Sequence, residues 1–166
     1  IYWRDKIKSA IVLDNVLPFY QAIYDRNKNI VKYETLMRIR DKDENGELVY
    51  ISPNLFLDIS IKTKQYLQLS YQIISKALIL LPKIDKQISI NLSFKDILDN
   101  EFINSLDNSL EKIDSNDKKR IVFEILESDY ISDYSLLEDF IAKYRNQGIK
   151  IAIDDFGTGY SNFAHI

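Results

Sequence analysis

The stretch that most constrains this chain is Ile149-Lys150-Ile151-Ala152-Ile153-Asp154-Asp155-Phe156-Gly157-Thr158-Gly159-Tyr160-Ser161-Asn162. Its β-branched residues at 149, 151 and 153 predict a short buried strand. That strand runs into two adjacent carboxylates and then a loop holding two of the chain's 4 glycines. Gly157 and Gly159 let the backbone take positive φ and approach a ligand closely. Neighbouring carboxylates repel each other, and a divalent cation relieves that repulsion. A lone Asp-Asp at a strand end is more often simply solvated, so the rest of the chain must decide.

Upstream, strands and helices alternate. Trp3, Ile7, Ala10 and Ile11 have helical spacing, and Asp14-Asn15 ends that helix. Leu17–Tyr24 reads as a first strand, with Pro18 at its start, and Ile30–Arg40 as a second. Glu34, Leu36 and Arg38 share one face of the second strand by the two-residue period. Asp41 to Glu47 reads as a polar loop. Ser52 and Pro53 read as N-cap and first residue of a short helix. A long helix is predicted from about Thr63 to Leu81, closed by Pro82. Gln87–Ser93 is a third strand, Phe94 to Ile113 is helical in two pieces, and Ser115 to Lys119 is a polar connector. Arg120–Leu126 is a fourth strand, followed by Glu127-Ser128. A helix capped by Ser132 or Asp133 runs to about Asn146, with Gly148 as its stop. After the first hairpin-like pair, the order strand, helix, strand, helix, strand predicts an α/β fold with a parallel sheet and helices packed outside.

Composition removes several function classes. The chain has 166 residues, enough for one domain, with 46% hydrophobic and 28% charged residues and a net charge of −3. It therefore has the means for a core but no basic patch for a nucleic-acid polymer. With 0 cysteines and one histidine, His165, it has no disulfide, no thiolate nucleophile and no Cys-zinc site, and a histidine-based triad is nearly excluded. Any metal site must use oxygen ligands, which favours Mg²⁺, Mn²⁺ or Ca²⁺. Apolar runs such as Ala77–Leu81 are too short to span a membrane. The chain begins at Ile1 and is read as a piece of a longer protein.

Polar residues recur near the ends of the predicted strands: Glu34 and Arg38 on the second, Asn91 on the third, Glu124 on the fourth, Asp154 and Asp155 on the fifth. The carboxyl ends of strands are where parallel α/β proteins bind ligands. A charge inside an apolar strand costs several kcal/mol unless it is paired or ligates a metal. Glu124, between Phe123 and Ile125, therefore has two readings: an ion pair with Arg38 or a lysine, or a metal ligand. Arg38 is either a snorkelling surface cation or a fork that clamps a phosphate. Two Asp, two Glu and one Asn suit two hard cations that hold a phosphodiester and activate a water.

Taken together these residues resemble the EAL domain, the cyclic-di-GMP phosphodiesterase of bacterial signalling. The signature appears as Glu34-Thr35-Leu36-Met37-Arg38. Tyr20-Gln21-Ala22-Ile23, Asn91-Leu92-Ser93, Glu124-Ile125-Leu126-Glu127-Ser128 and Asp154 to Ser161 match further motifs in order. The resemblance implies a TIM-like (β/α) barrel of which about five strands lie in this chain, residues 1–166 forming its N-terminal part, with the first strand antiparallel to the others. It implies catalytic roles for Glu34, Asp154 and Asp155, and metal ligation by Glu34, Asn91, Glu124, Asp154 and Asp155, with two Mg²⁺ or Mn²⁺ ions in the complete domain. It implies substrate contacts from Gln21, Leu36 and Arg38, and loop anchoring by Glu127. The implied activity is two-metal hydrolysis of cyclic-di-GMP to linear pGpG. The implied setting is a cytoplasmic homodimer, with a sensory or GGDEF-type domain N-terminal in the parent protein and a membrane tether through other regions left open.

Departures from the pattern are Thr35 for Ala, Ala22 for Pro and Leu126 for Thr. The family's catalytic lysine comes after this point of the barrel, as do a further Glu and Gln, and a full barrel takes ~250 residues. These 166 residues alone are thus expected to be inactive. The alternative is a degenerate EAL module that binds cyclic-di-GMP without cleaving it, an idea prompted by Leu126 on the face of Glu124.

Overall fold

The computed structural model describes residues 1–126 and 133–154, with Asp154 described through its backbone alone. Helix α1 (Tyr2–Val12) buries Ile7 and Ala10. It is followed by strands β1 (Val16–Tyr24) and β2 (Ile30–Lys42). Their turn is set by Asp25, whose carboxylate accepts from the backbone N–H groups of Asn27 and Asn29, with Lys28 at φ 65°. The two strands pair antiparallel, with Gln21 opposite Glu34 and Phe19 opposite Leu36. The implied antiparallel first strand is therefore present.

The predicted polar loop is shorter than expected. Strand β2 runs to Lys42, and a further strand, β3 (Leu48–Ile51), pairs back on it antiparallel. Asp43 draws the turn tight by accepting from the N–H groups of Asn45 and Glu47, and Gly46 supplies φ 79°. Among the described residues there are six strands where about five were expected. Four residues alternating between half-buried and exposed are too weak a pattern to read as a strand.

After a single helical turn at Pro53–Leu55 come α2 (Leu57–Lys62) and α3 (Tyr66–Leu80). Ser52 makes no side-chain cap bond; its carbonyl accepts from Leu55 instead. The expected long helix is present as α3 but begins at Tyr66 rather than Thr63, because Lys64 takes φ 62° and the Thr63 hydroxyl donates to the Ile59 carbonyl, closing α2. Next come β4 (Gln87–Ser93), α4 (Phe94–Leu98), α5 (Asn100–Glu111), α6 (Ser115–Lys118), β5 (Ile121–Leu126), α7 (Tyr134–Arg145) and β6 (Lys150–Asp154). The supposed connector contains α6 because the Asp114 carboxylate caps it through the Asn116 N–H. Asp133 caps α7 through the Leu136 N–H, and Gly148, at φ 90°, turns the chain into β6.

The sheet order is β1-β2-β4-β5-β6, with β2, β4, β5 and β6 parallel. One face is sealed. Ile88, Ile90 and Leu92 of β4, Ile121, Phe123 and Ile125 of β5 and Ile151 of β6 pack beneath α3, α5 and α7. Phe123 meets Phe140 and Tyr144 of α7 at ring centroid distances of 6.2 and 5.7 Å. A second cluster, including Ile7, Val16, Ile39, Phe56 and Leu69, seats α1 and α2 against the other end of the sheet. Among the described residues no helix is long and apolar enough to cross a membrane.

The end of β4 is fixed by a buried polar knot. The Asp96 carboxylate accepts from the Ser93 backbone N–H at 2.9 Å and from the Ser70 hydroxyl of α3 at 3.2 Å, while the Asp96 N–H donates to the Ser93 hydroxyl. This reciprocal cap starts α4 and ties it to α3. Burial raises the Asp96 carboxyl from 3.8 to about 7, against the opposing pull of its hydrogen bonds to Ser93 and Ser70. The folded state therefore keeps a proton that the unfolded chain has already lost between roughly pH 4 and 7. Stability should fall as pH rises through that window and level off above it. Thermal unfolding of the wild type and Asp96→Asn across pH 4 to 8 checks this, since the amide keeps an acceptor without titrating and should flatten that slope.

Candidate active site

Because neighbouring strand residues face opposite ways, the sealed face leaves the other set of side chains free to form a site. On β2 that set is Lys32, Glu34, Leu36 and Arg38. Ser89 of β4 lies beside Glu34 in the register, and Asn91 lies beside Glu124 of β5. Glu124 lies beside Ala152 of β6, and Leu126 beside Asp154. The sheet thus brings Gln21, Glu34, Asn91 and Glu124 to one face, with the Asp154 backbone at the end of the next strand. The side chain of Asp154, together with Asp155, Glu127 and the glycine loop, lies outside the described residues. Thr35 points the other way and is buried, as its position opposite Glu34 requires.

Of the two readings for Glu124, the structure displays an ion pair, and its partner is Lys32. The Lys32 Nζ donates to Glu124 Oε1 at 3.0 Å, reaching across β4. The two side chains are 15% and 14% exposed, so this pair is far drier than an ordinary surface bridge. The sequence carried a signal for it: Lys32 precedes Glu34 by one two-residue period and must share its face.

Arg38 is braced from two sides. Its Nη1 donates to the Met37 carbonyl at 2.7 Å, and its guanidinium carbon sits 5.6 Å from the centre of the Phe19 ring. Phe19 packs in turn on Tyr50 of β3 at 4.9 Å. Phe19 and Tyr50 remain exposed, forming an aromatic shelf beside Leu36 and Arg38. Neither was singled out from the sequence: Phe19 reads as an ordinary strand residue, and Tyr50 lies on the strand that was missed.

The Ser89 hydroxyl, beside Glu34, is buried and has no hydrogen-bond partner among the described residues. A cavity of about 150 Å³ opens next to Asn91 and Leu126, but its walls are mostly apolar, including Leu36, Ile73, Ile74 and Ile90. No carboxylate of the described residues lines it. Among the described residues no three carboxylate or histidine side chains gather into a complete cation cage. The donors that are present suit a hard cation all the same. All are oxygens, from Glu34, Glu124 and Asn91, and Glu124 already accepts a positive group.

An α/β sheet with outer helices, an antiparallel first strand and an oxygen-rich polar face at its parallel strands defines a barrel-type domain built for ligands at that face. The chain belongs to the EAL domain family, whose model matches residues 4–166. It is 32% identical over 165 residues to YkuI of Bacillus subtilis, described as an uncharacterized EAL-domain containing protein, covering 93% of this chain and 38% of that one. It is 31% identical over 138 residues to a cyclic di-GMP phosphodiesterase of Pseudomonas aeruginosa, covering 80% of this chain and 23% of the relative. Its fold matches the EAL enzyme Bd1971 in a cGMP-bound form with a TM-score of 0.76 and 30% identity, over 99% of this chain and 46% of that one. The sheet is therefore part of a TIM-like EAL architecture, and the chain spans less than half the length of each of these relatives.

Removing the acid should expose what the ion pair does without metal. Glu124→Gln removes the carboxylate charge from the Lys32–Glu124 pair in a largely dry position and should cost about 1–3 kcal/mol. Chemical denaturation in the presence of a chelator measures it.

Proposed function

We propose that this chain forms part of a domain that hydrolyses cyclic-di-GMP to linear pGpG. One observation carries the reading: Glu34, Asn91 and Glu124 share the single polar face of a sheet whose other face is sealed by helices, in a member of the EAL family. The name of the Pseudomonas aeruginosa relative supports the same substrate.

Glu34, Asn91, Glu124, Asp154 and Asp155 would hold two Mg²⁺ or Mn²⁺ ions, which supply Lewis acidity and a nucleophilic water. Around them the chain's own residues bind and orient the nucleotide. Arg38, with one donor committed to the Met37 carbonyl, keeps its remaining N–H groups for phosphate oxygens. Gln21 is exposed on β1 opposite Glu34, and its amide has both a donor and an acceptor for a guanine edge. Leu36 offers the neighbouring apolar contact. On the same reading Glu127 would anchor the Asp-Asp-Phe-Gly loop and couple it to a dimer partner, and the general-base lysine would come from a later strand of the barrel.

A second reading has its own observation. Leu126 lies in register with Ser93 and Asp154 on the polar face, where the family pattern has a threonine. An apolar group there favours a module that binds cyclic-di-GMP and leaves it intact.

Incubating the intact protein with cyclic-di-GMP and Mn²⁺ or Mg²⁺, and following pGpG by chromatography, decides between them. The expected result is pGpG formation that Glu34→Ala lowers by at least about 100-fold, since even changes behind the ligands cost 10–100-fold. Tight binding with no product would establish the second reading, and neither binding nor product would remove both.

A further inference from the structure

The reaction outlined above gives Lys32 no task, yet Lys32 holds one of its proposed metal ligands. Two-residue alternation puts Lys32 and Glu34 on the same face, and the register sets Lys32 beside Gln87 of β4. From there its Nζ reaches Glu124 Oε1 at 3.0 Å, with both side chains mostly withdrawn from water. Resting on the metal-centre reading, we propose that Lys32 is an internal counter-ion that competes with a divalent cation for Glu124 and so sets the metal affinity of the site.

The geometry makes the competition direct. Mg²⁺ binds carboxylate oxygen at about 2.0–2.1 Å. An ammonium on the same oxygen would then stand beside a doubly charged ion, in surroundings that screen the repulsion poorly. Cation binding at Glu124 therefore requires the ammonium to withdraw. The space open to it is a hollow of about 610 Å³ on the same side, lined by Lys32, Gln87, Val122, Arg145, Lys150 and Ala152. Arg145 and Lys150 bring further positive charge to that hollow, so retreat is opposed as well. Without metal, Lys32 keeps Glu124 paired and the polar face stable while empty. With metal, the same charge weakens the complex.

Calorimetric titration of the intact protein with MnCl₂ in the absence of nucleotide tests this, using wild type, Lys32→Met and Lys32→Gln. Removing the charge should lower the Mn²⁺ dissociation constant at least about tenfold, a change of 1.4 kcal/mol. Circular dichroism in a chelator reports whether each variant is folded. Should Lys32→Met unfold without metal, Lys32→Gln, which retains a donor for Glu124, decides the matter. Equal or weaker Mn²⁺ binding by a folded, charge-free variant, with the wild type still binding, overturns the role of Lys32 and leaves the metal centre standing. If wild type and variants all fail to bind Mn²⁺, the metal centre itself is overturned, and this proposal goes with it.

Discussion

The pairing of β4 with β5 is the constraint on which the rest depends. It sets Asn91 against Glu124 and, on the reverse face, Ile90 against Phe123 and Leu92 against Ile125. A slip of one residue in β5 would drive Glu124 beneath α7 and turn Phe123 and Ile125 toward water. Burying a carboxylate without a partner costs several kcal/mol, and losing a fully buried phenylalanine from the core costs about as much. Both penalties act together, so the register that makes the core also makes the site. The polar face is a by-product of efficient packing on the other side.

Capping groups beyond the strands then fix where each strand ends. The knot of Ser93, Asp96 and Ser70 stops β4 two residues after Asn91 and anchors the stop to α3. Asp133 and Gly148 do the same for α7 and its passage to β6. These caps are local and individually modest, about 1 kcal/mol apiece. Their effect on geometry is larger than that energy suggests, because each determines how far a site residue projects beyond the helical layer. The strain visible at Lys28 and Lys64, both with positive φ, lies in turns away from the acids. The polar face itself is built from ordinary extended backbone.

Much of this was legible in the residues. Strand β4 has the bounds expected of it, since Gln87–Ser93 alternates without ambiguity between polar and apolar residues. The shared face of Glu34, Asn91 and Glu124 follows from period two once the strands are placed. The elements that escaped are those whose signal is short or tertiary. Strand β3 owes its existence to pairing with an unusually long β2, and α6 to a single aspartate cap. The aromatic shelf of Phe19 and Tyr50 joins residues from two strands, and no local pattern announces such a pair. The lysine partner of Glu124 was foreseen as a type of group but not as Lys32. A contact across an intervening strand depends on side-chain length and sheet twist, which one-dimensional spacing does not contain.

The charges on this face give the Lys32–Glu124 pair its physical setting. The proposed ligand set is strongly acidic, and acids at adjoining strand ends oppose folding whenever their cations are absent. Here one positive side chain is supplied by β2 itself, so the empty face is already partly balanced. The same balance reduces what a divalent ion gains on arrival. Leu126 acts in the same direction by placing a methyl-rich group beside Asp154, where a hydroxyl would have offered the acids a hydrogen bond. On the proposed reading, the charge of Lys32 and the apolar Leu126 both favour the metal-free sheet. The physical question at this site is thus how the energy of the empty state compares with that of the loaded one, and the geometry at Glu124 is where that comparison is made.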